Sequence, residues 1–340
     1  MNLWPLLWVT TCVALSSPAQ ALSLAAFDNE YLAQYTENPR PGTVTVTFLG
    51  TTTLLFDDGV TQILVDGFLT RPPLATVALE PLQTSTETVD GILDKVNAHR
   101  VRGVFVTHSH YDHALDAVYI ARRTGAPLFG SSSTLNLGRG ERISEDRLNR
   151  FVRGERMTVG KFEVTAVPAK HSPTIPFVND DLGEKIRKPL TQPLRESAYV
   201  EGGTYSLYIR HGAHTMLVVA SANYVEGALH GIPAETVFLS IGAIGTRSTD
   251  FHRRYYDNTV GCVRPSLVVP VHWDEFFEPL STSLSAMPGS NTTLRYVRER
   301  LRQDHIQLGV MRGLQKVKLF DETSRIASYP GPAPGCEDYD

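Results

Sequence analysis

Short apolar and β-branched runs, separated by glycine and aspartate turns, form the first regular pattern in the chain. Residues 44–49 and 52–56 are two such runs split by Gly50, and a turn at 57–59 leads into a third run at 62–65. Runs of this length with turn residues between them are typical of consecutive antiparallel strands. The pattern therefore predicts a β-sheet that begins at residue 44.

The apolar spacing then alternates between helical and strand-like periods. Apolar residues recur at intervals of three and four in the segments 86–99 and 114–123, which predicts helices on either side of a strand at 101–106. In the second half we predict strands at 156–159, 162–168, 205–210, 215–220, 237–241 and 266–271, and a helix at 293–303. Because helices intervene between strand groups in both halves, we expect an α/β (α+β) fold with layers of helix over sheet.

One long stretch, residues 173–203, interrupts this pattern. It is rich in Pro, Asp, Lys and Arg and shows little periodicity. A loop of this length inside a compact domain is uncommon unless it is a lid, a binding loop or a disordered segment. We expect an insertion or lid loop that covers the substrate, with plain surface elaboration as the alternative.

The composition is that of a globular protein without a basic surface. Of 340 residues, 42% are hydrophobic and 20% are charged, which is enough apolar content for a sizeable core. The net charge of −4 provides no field for nucleic acid, so nucleic acid is not an expected partner. A small-molecule substrate is the expected partner instead.

Residues 1–21 have the pattern of a secretory signal peptide. They carry no charged side chain, residues 3–15 are rich in Leu, Trp and Val, and Ala19-Gln20-Ala21 is a small-residue cleavage motif. We expect a periplasmic or secreted protein; a short uncleaved membrane anchor is the alternative, because the start lacks Lys and Arg. No later run approaches the roughly 20 apolar residues that span a bilayer, so no membrane span is expected once the signal is removed.

The cysteines are few and allow one disulfide. Cys12 lies in the predicted signal, which leaves Cys262 and Cys336 as an even pair in an oxidising compartment. A bridge between them would tie the Pro/Gly-rich tail to the segment before His272. Two unrelated thiols are the alternative.

The densest cluster of candidate chemistry directly follows the strand at 101–106. His108, His110, Asp112 and His113 place three imidazoles and a carboxylate within six positions. Histidine is the commonest metal ligand, and alternate residues at the end of a strand point to the same side. The run therefore predicts a metal site, in preference to four unrelated surface or core residues.

Two further histidines stand where predicted strands end. His171 follows the strand at 162–168 and His272 follows the strand at 266–271, so both are delivered to the edge of a sheet and are candidate ligands. The six other histidines lie in polar or turn-like contexts and are expected to be surface or supporting residues. They are His99, His211, His214, His230, His252 and His305.

In their order along the chain these motifs resemble the metallo-β-lactamase superfamily. The resemblance rests on Asp66 at the end of an early strand, the Thr-His-x-His-x-Asp-His run at 107–113, His171 and His272, and it covers roughly residues 44–275. It implies a four-layer αβ/βα sandwich of two similar β-rich halves, with metals at one edge between the sheets. We accordingly divide the chain into a signal peptide (1–21), an N-terminal extension (22–43), the metallo-β-lactamase-fold domain (44–320) and a C-terminal tail (321–340).

The resemblance also implies roles for individual residues. One zinc ion would be bound by His108, His110 and His171, and the second by Asp112, His113 and His272. Asp66 would lie behind the ligands, where a carboxylate orients an imidazole or a loop; a turn aspartate before Gly67 is the alternative. Asp112 would be the catalytic residue that orients the nucleophile or carries its proton onward.

One departure from the superfamily pattern concerns the link between the metals. Many hydrolases of the superfamily have a Gly-Asp pair after the strand that follows the third motif, and its aspartate bridges both metals. Here the strand at 216–220 runs into Ser221, and a neutral hydroxyl is a poor zinc ligand. We therefore expect a shared water or hydroxide to link two zinc ions. The alternative is a site in which only one metal ion binds tightly.

The resemblance points to hydrolysis. The ligand set is similar to that of the third subclass of zinc β-lactamases, whereas residues 46–55 and the pattern around Asp66 look more like the lactonase-like branch. We expect a secreted zinc-dependent hydrolase that uses a metal-bound hydroxide to attack an ester, lactone or amide carbonyl. The alternatives are a phosphodiesterase acting on a lipid or nucleotide and a non-catalytic metal-binding protein. Structural zinc sites are usually thiolate-rich, which argues against the latter, and the missing bridging carboxylate argues against iron-based redox chemistry.

Overall fold

Two seven-stranded sheets carry the fold, in a computed structural model that describes residues 24–174 and 181–321. The first six strands are β1 (Val44–Phe48), β2 (Leu54–Asp57), β3 (Gln62–Val65), β4 (Val101–Phe105), β5 (Leu128–Gly130) and β6 (Leu148–Arg150). The others are β7 (Arg156–Val159), β8 (Phe162–Pro168), β9 (Tyr205–His211), β10 (His214–Val219), β11 (Thr236–Ser240), β12 (Leu267–Val271), β13 (Gln307–Leu308) and β14 (Lys316–Phe320).

The two sheets are built alike. Their strand orders are β14-β1-β2-β3-β4-β5-β6 and β13-β12-β11-β10-β9-β8-β7. In the first sheet the pairs from β14 to β3 are antiparallel, and those from β3 to β6 are parallel. In the second the pairs from β7 to β10 are antiparallel, and those from β10 to β13 are parallel. The repeated pattern confirms the two similar β-rich halves.

Helices accompany both sheets. They are α1 (Leu74–Leu79), α2 (Thr86–Lys95), α3 (Tyr111–Ala114), α4 (Ala117–Thr124), α5 (Ser132–Gly140), α6 (Thr249–Tyr256) and α7 (Ser290–Gln303). Short 3-10 helices lie at Ala25–Glu30, Glu145–Arg147 and Glu196–Ala198, and a π-helical turn lies at Asp257–Gly261. Within the described ranges, no helix has both the length and the apolar character needed to cross a membrane.

Burial follows the layered arrangement. Every residue of β1, β2 and β3 is buried, as expected for strands that are covered on both faces. Phe56 of β2 packs edge-on against Phe238 of β11 between the sheets, with ring centroids 5.5 Å apart. Leu64 of β3 shares a second apolar cluster with α2 and α4, whereas α6 and α7 bury side chains in the cluster that contains the second sheet. These contacts confirm the four-layer αβ/βα sandwich.

The predicted strands and helices are present, with differences in detail. The helix predicted at 114–123 is two helices, because α3 already begins at Tyr111 inside the histidine run. The elements that the pattern missed are α1, β5, α5, β6, α6, β13 and β14. β5 and β6 have three residues each and are too short to display an alternation of apolar and polar positions.

The described part of the stretch 173–203 is anchored to the fold. Ile186 N donates to Ser133 Oγ over 3.0 Å, and Asn136 Nδ2 on α5 donates to Ile186 O over 2.7 Å. Ile186 and Tyr199 are both buried. The stretch is therefore packed against α5 over part of its length, and its role in covering substrate stays a prediction.

The predicted segments at the two ends of the chain, 1–21, 22–43 and 321–340, lie partly or wholly outside the described residues. Of the predicted extension 22–43, Phe27 is buried in the main apolar cluster. The predicted signal at 1–21 and Cys336 are not among the described residues. Cys262 is disulfide-bonded, and its pairing with Cys336 stays a prediction.

Gly67, the second residue after β3, is expected to be intolerant of a side chain. A Cβ added there would lie 2.6 Å from Ala117 Cα at the start of α4, and this backbone has no room to move aside. We expect Gly67→Ala to destabilise the protein by about 1–3 kcal/mol, the usual cost of overpacking, as measured by urea unfolding. Gly91→Ala is the matched control, because nothing lies within 4 Å of its added Cβ and alanine favours the interior of α2. Equal stability of the two variants would contradict this account.

Candidate metal centre

The ends of three strands bring six candidate ligands together at one edge of the sandwich. β4 is followed by a loop that leads into α3, and His110 occupies the N-cap position of this helix. His171 follows β8, and His272 directly follows β12 with a left-handed φ of 56°. The first sheet thus supplies the ligands at 108–113, and the second sheet supplies the other two.

His108, His110 and His171 form the first group. Each offers a ligand atom, and these atoms all lie within 4.8 Å of one another. His110 Nδ1 is 3.1 Å from His171 Nε2. The ring centroid of His108 is 5.0 Å from that of His110 and 4.9 Å from that of His171. Three imidazoles therefore converge, and they are the set implied for one metal ion.

Asp112, His113 and His272 form the second group, again with ligand atoms within 4.8 Å of one another. Asp112 Oδ2 lies 3.3 Å from His113 Nε2 and 3.2 Å from His272 Nε2. The ring centroids of His108 and His113 are 3.8 Å apart, so the two groups adjoin. Among the described residues no side chain, and hence no carboxylate, belongs to both groups.

The first group fits a metal ion. His108 Nε2 is buried and has no hydrogen-bond partner in the described part of the chain, whereas Nδ1 of the same ring is 3.3 Å from Thr107 Oγ1. Burial and the neighbouring imidazoles hold the pKa of His108 well below its usual range, and burial lowers the pKa of His171 to about 3. Both rings are therefore neutral at pH 7, which is the form that binds metals. A metal ion at this point would satisfy the unpaired nitrogen.

The second group combines a carboxyl group of lowered pKa, Asp112, with an imidazole of raised pKa, His113. Burial raises the pKa of Asp112, but His113 and His272 outweigh that effect and hold the pKa well below its usual range. Burial lowers the pKa of His113, but Asp112 and Asp66 outweigh it and raise the pKa to about 10. Asp112 is therefore an anionic candidate ligand, and a metal bound here would displace a proton from His113.

Asp66 lies directly behind His113. Its Oδ2 is 2.8 Å from His113 Nδ1, and its Oδ1 accepts a hydrogen bond of 2.8 Å from Thr107 N. The hydroxyls of Thr52 and Thr107 also donate to this carboxylate. Asp66 therefore orients a candidate ligand and connects two loops. A turn aspartate, the alternative role, would not need these contacts.

Ser221 lies beside the loop that carries His171. Its Oγ accepts a hydrogen bond of 2.8 Å from Ser172 N, and Asn223 Nδ2 donates to His171 O over 2.7 Å. The serine thus supports the backbone next to a candidate ligand. The geometry is consistent with a position near the metals, and the equivalence with the bridging aspartate stays a prediction.

Sequence reasoning missed three charged residues at this edge. Asp181, in the stretch 173–203, has Oδ2 3.1 Å from His110 Nε2. Arg71 Nη1 donates to Asp274 Oδ2 over 2.7 Å, and both side chains are fully buried. Asp274 Oδ1 accepts from Thr51 N, so the pair fixes the segment that follows His272. No local pattern marks these residues, because their partners are distant in the sequence.

The remaining six histidines belong to neither group in the described residues. His211 Nε2 lies 3.0 Å from Asp58 Oδ2, and His214 Nδ1 lies 2.8 Å from Glu235 Oε2. These are pairs between neighbouring elements of the scaffold. They have no direct part in the centre.

Comparisons with known proteins agree with this arrangement. A model of the β-lactamase superfamily domain matches residues 61–273, more than half of the chain. A metal-dependent hydrolase from an Anaeromyxobacter species is 30% identical, over 62% of this chain and 72% of that protein. Another from Thermoplasma volcanium is 39% identical, over 21% of this chain and 24% of that protein. The solved structure of a metallo hydrolase from Ignicoccus hospitalis has a TM-score of 0.52 and 19% identity, and the match covers 82% of this chain and 100% of that one.

The fold and the two ligand groups define a metal-binding αβ/βα sandwich. The chain belongs to the metallo-β-lactamase superfamily, as its motifs predicted. Both sequence relatives are named metal-dependent hydrolases, which is the class of enzyme that the sequence predicted. The chain spans only 24% to 30% of the length of the first curated relatives that it matches, so activity and substrate are proposals for this protein.

Asp66→Asn is expected to weaken metal binding at the second group. The amide keeps the size of the side chain but removes the charge that orients His113, and loss of such a partner lowers metal affinity by about 10- to 100-fold. Zinc titration in competition with a chromophoric chelator measures this effect. Asp94→Asn removes an exposed carboxylate on α2 and is the control. Zinc affinities equal to those of the control would refute the assigned role.

Ser221→Asp is expected to tighten metal binding, because it adds an anionic oxygen ligand where a neutral hydroxyl is a poor one. Ser221→Ala is the control, since it loses the hydrogen bond from Ser172 N without adding charge. Zinc retained during dialysis against a chelator measures the difference. The same retention in both variants would show that residue 221 does not occupy the bridging position.

Proposed function

We propose that this protein is a hydrolase that works with two zinc ions. The observation that carries the proposal is the pair of adjoining ligand groups, which consist of imidazoles and one carboxylate without a thiolate. Structural zinc sites are closed and usually thiolate-rich, whereas catalytic sites use histidine and carboxylate ligands and keep one position open. Zinc bound here would lower the pKa of a coordinated water to about 7 and polarise a substrate carbonyl.

We assign to Asp112 the role of orienting the attacking water or carrying its proton onward. Its Oδ2 lies between the His113 and His272 rings, and its pKa is held well below the usual range of a carboxyl. The side chain is 13% exposed, so part of it is accessible to solvent. An ionised carboxylate in this position accepts a hydrogen bond from water and orients it toward the carbonyl carbon.

The other residues of the centre hold the ligand rings in place. His113 is backed by Asp66, and His171 Nδ1 is 3.1 Å from Ser172 O. Partners behind the rings fix which ring nitrogen faces the centre and keep the rings from turning. Such preorganisation means that little reorganisation is needed as charge develops in the transition state.

The proposed substrate is an ester, a lactone or an amide. Support comes from residues 46–55 and the surroundings of Asp66, which look like the lactonase-like branch, and from the lack of a shared carboxylate in the two groups. A phosphodiester of a lipid or nucleotide is the competing substrate class. We also propose that the protein is periplasmic or secreted, on the strength of the signal-like residues 1–21.

Metal removal is expected to abolish hydrolysis. Purified protein should contain close to two zinc ions per chain, lose activity on chelation and regain it with zinc. His108→Ala is expected to lower kcat/KM by at least about 100-fold, because even the loss of a group that only orients a ligand costs 10- to 100-fold. His99→Ala, an exposed histidine, is the control and should keep full activity. Activity that persists without metal would refute the proposal.

The substrate class is tested with a panel of lactones, β-lactams and bis-p-nitrophenyl phosphate. We expect turnover of carbonyl substrates and little or no turnover of the phosphodiester. Turnover of the phosphodiester alone would replace the proposed substrate class with the competing one. A metal-loaded protein that turns over none of these compounds, or any other ester or amide, would favour the non-catalytic alternative.

A further inference from the structure

The described part of the stretch 173–203 places the carboxylate of Asp181 beside the first ligand group. His110 Nε2 lies 3.2 Å from Asp181 Oδ1 and 3.1 Å from Asp181 Oδ2. The other nitrogen of the same ring, Nδ1, is the one that lies 3.1 Å from His171 Nε2. One side of the His110 ring therefore faces the other ligands, and the opposite side faces Asp181.

Asp181 is itself held in place from behind. Glu201 N donates to Asp181 Oδ2 over 2.8 Å. The Glu201 side chain accepts hydrogen bonds from Gly183 N and from Thr204 Oγ1. The carboxylate that faces His110 is therefore part of a closed network between the two ends of the segment 181–204, and it has little freedom to turn away.

The same segment is built against the loop between the first two ligands. Ser109 N donates to Glu201 O over 2.9 Å, and Ser109 Oγ donates to Val200 O. A Cβ added at Gly202 would lie 2.2 Å from Ser109 Oγ, so glycine is required at this close approach. Residues 181–203, here called the anchored segment, and the ligand loop thus form one packed unit.

The tautomer of His110 determines which atom donates in its contact with Asp181. A neutral imidazole carries one N–H, so a metal bound at Nδ1 of His110 places the proton on Nε2, where it donates to Asp181. A carboxylate in that position fixes the orientation of the ring and raises its strength as a ligand. The side chain of Asp181 is 23% exposed, so solvent weakens this interaction without removing it.

We propose that Asp181 is a positioning residue for His110 and that it couples metal binding at the first ligand group to the docking of the anchored segment. The inference rests on the proposed metal-dependent function. Coupling of this kind is reciprocal: if docked Asp181 raises metal affinity by some factor, bound metal favours the docked segment by the same factor. Amide exchange in the anchored segment should then slow when the first metal is bound.

The test measures zinc binding and backbone exchange, and it does not need a substrate. Asp181→Asn is expected to lower zinc affinity at the first group by about 10- to 100-fold in competition with a chelator. Asp181→Glu keeps the charge and should recover part of this loss. Glu184→Gln removes an exposed carboxylate of the same segment and should bind zinc as the wild type does.

Hydrogen–deuterium exchange supplies the second readout. In the wild type and in Glu184→Gln, zinc is expected to slow amide exchange in peptides from residues 182–203, and in Asp181→Asn this zinc-dependent difference should disappear. A folded Asp181→Asn variant with the zinc affinity and the zinc-dependent protection of Glu184→Gln would overturn the inference while leaving the proposed function intact. Normal coupling without hydrolysis of any substrate would overturn the function alone. A wild type that binds no metal would overturn both.

Discussion

The metal centre depends on one buried carboxylate, that of Asp66. It is fully buried, has a left-handed φ of 56° and accepts hydrogen bonds from Thr52, Thr107 and His113. A left-handed conformation costs a non-glycine residue about 1–3 kcal/mol, and an unpaired buried charge costs more. The hydrogen bonds from the three partners satisfy the buried carboxylate and help to offset these costs. Asp66 therefore specifies a single arrangement of the loops that follow β1, β3 and β4, and this arrangement sets the position of the His113 ring.

A second buried charge connects that arrangement to the other sheet. Arg71 lies in the loop after β3, and its guanidinium donates to Asp274, two residues after His272, and to the carbonyls of Glu275 and Glu278. Breaking a buried pair of this kind costs about 3–5 kcal/mol, although an intact pair adds little over apolar packing. Its effect here is on position. The segment after His272 is held against the first sheet, so a candidate ligand from the second sheet lies beside those from the first.

The sequence predicted those parts of the centre that have a local pattern. Four candidate ligands lie in one short run, and His171 and His272 each follow a strand with a recognisable apolar sequence. Asp181 and Arg71 were not predictable, because their partners lie 71 and 203 residues away along the chain and neither residue belongs to a periodic segment. The same distinction between local and distant patterns holds for the strands of the fold. The long buried strands were found, whereas β14, which pairs with β1 across most of the chain, was not.

The two ligand groups are supported by partners of different kinds, and this difference determines how each depends on the rest of the chain. His113 is backed by Asp66, a fully buried residue fixed by the core of the first sheet. His110 is backed by Asp181, a partly exposed residue of the anchored segment. Loops over a site vary more readily than the scaffold beneath them. A change in the anchored segment would therefore alter the surroundings of the first group and leave the support of the second unchanged. Specificity can then change in the loop while the scaffold keeps half of the centre in place.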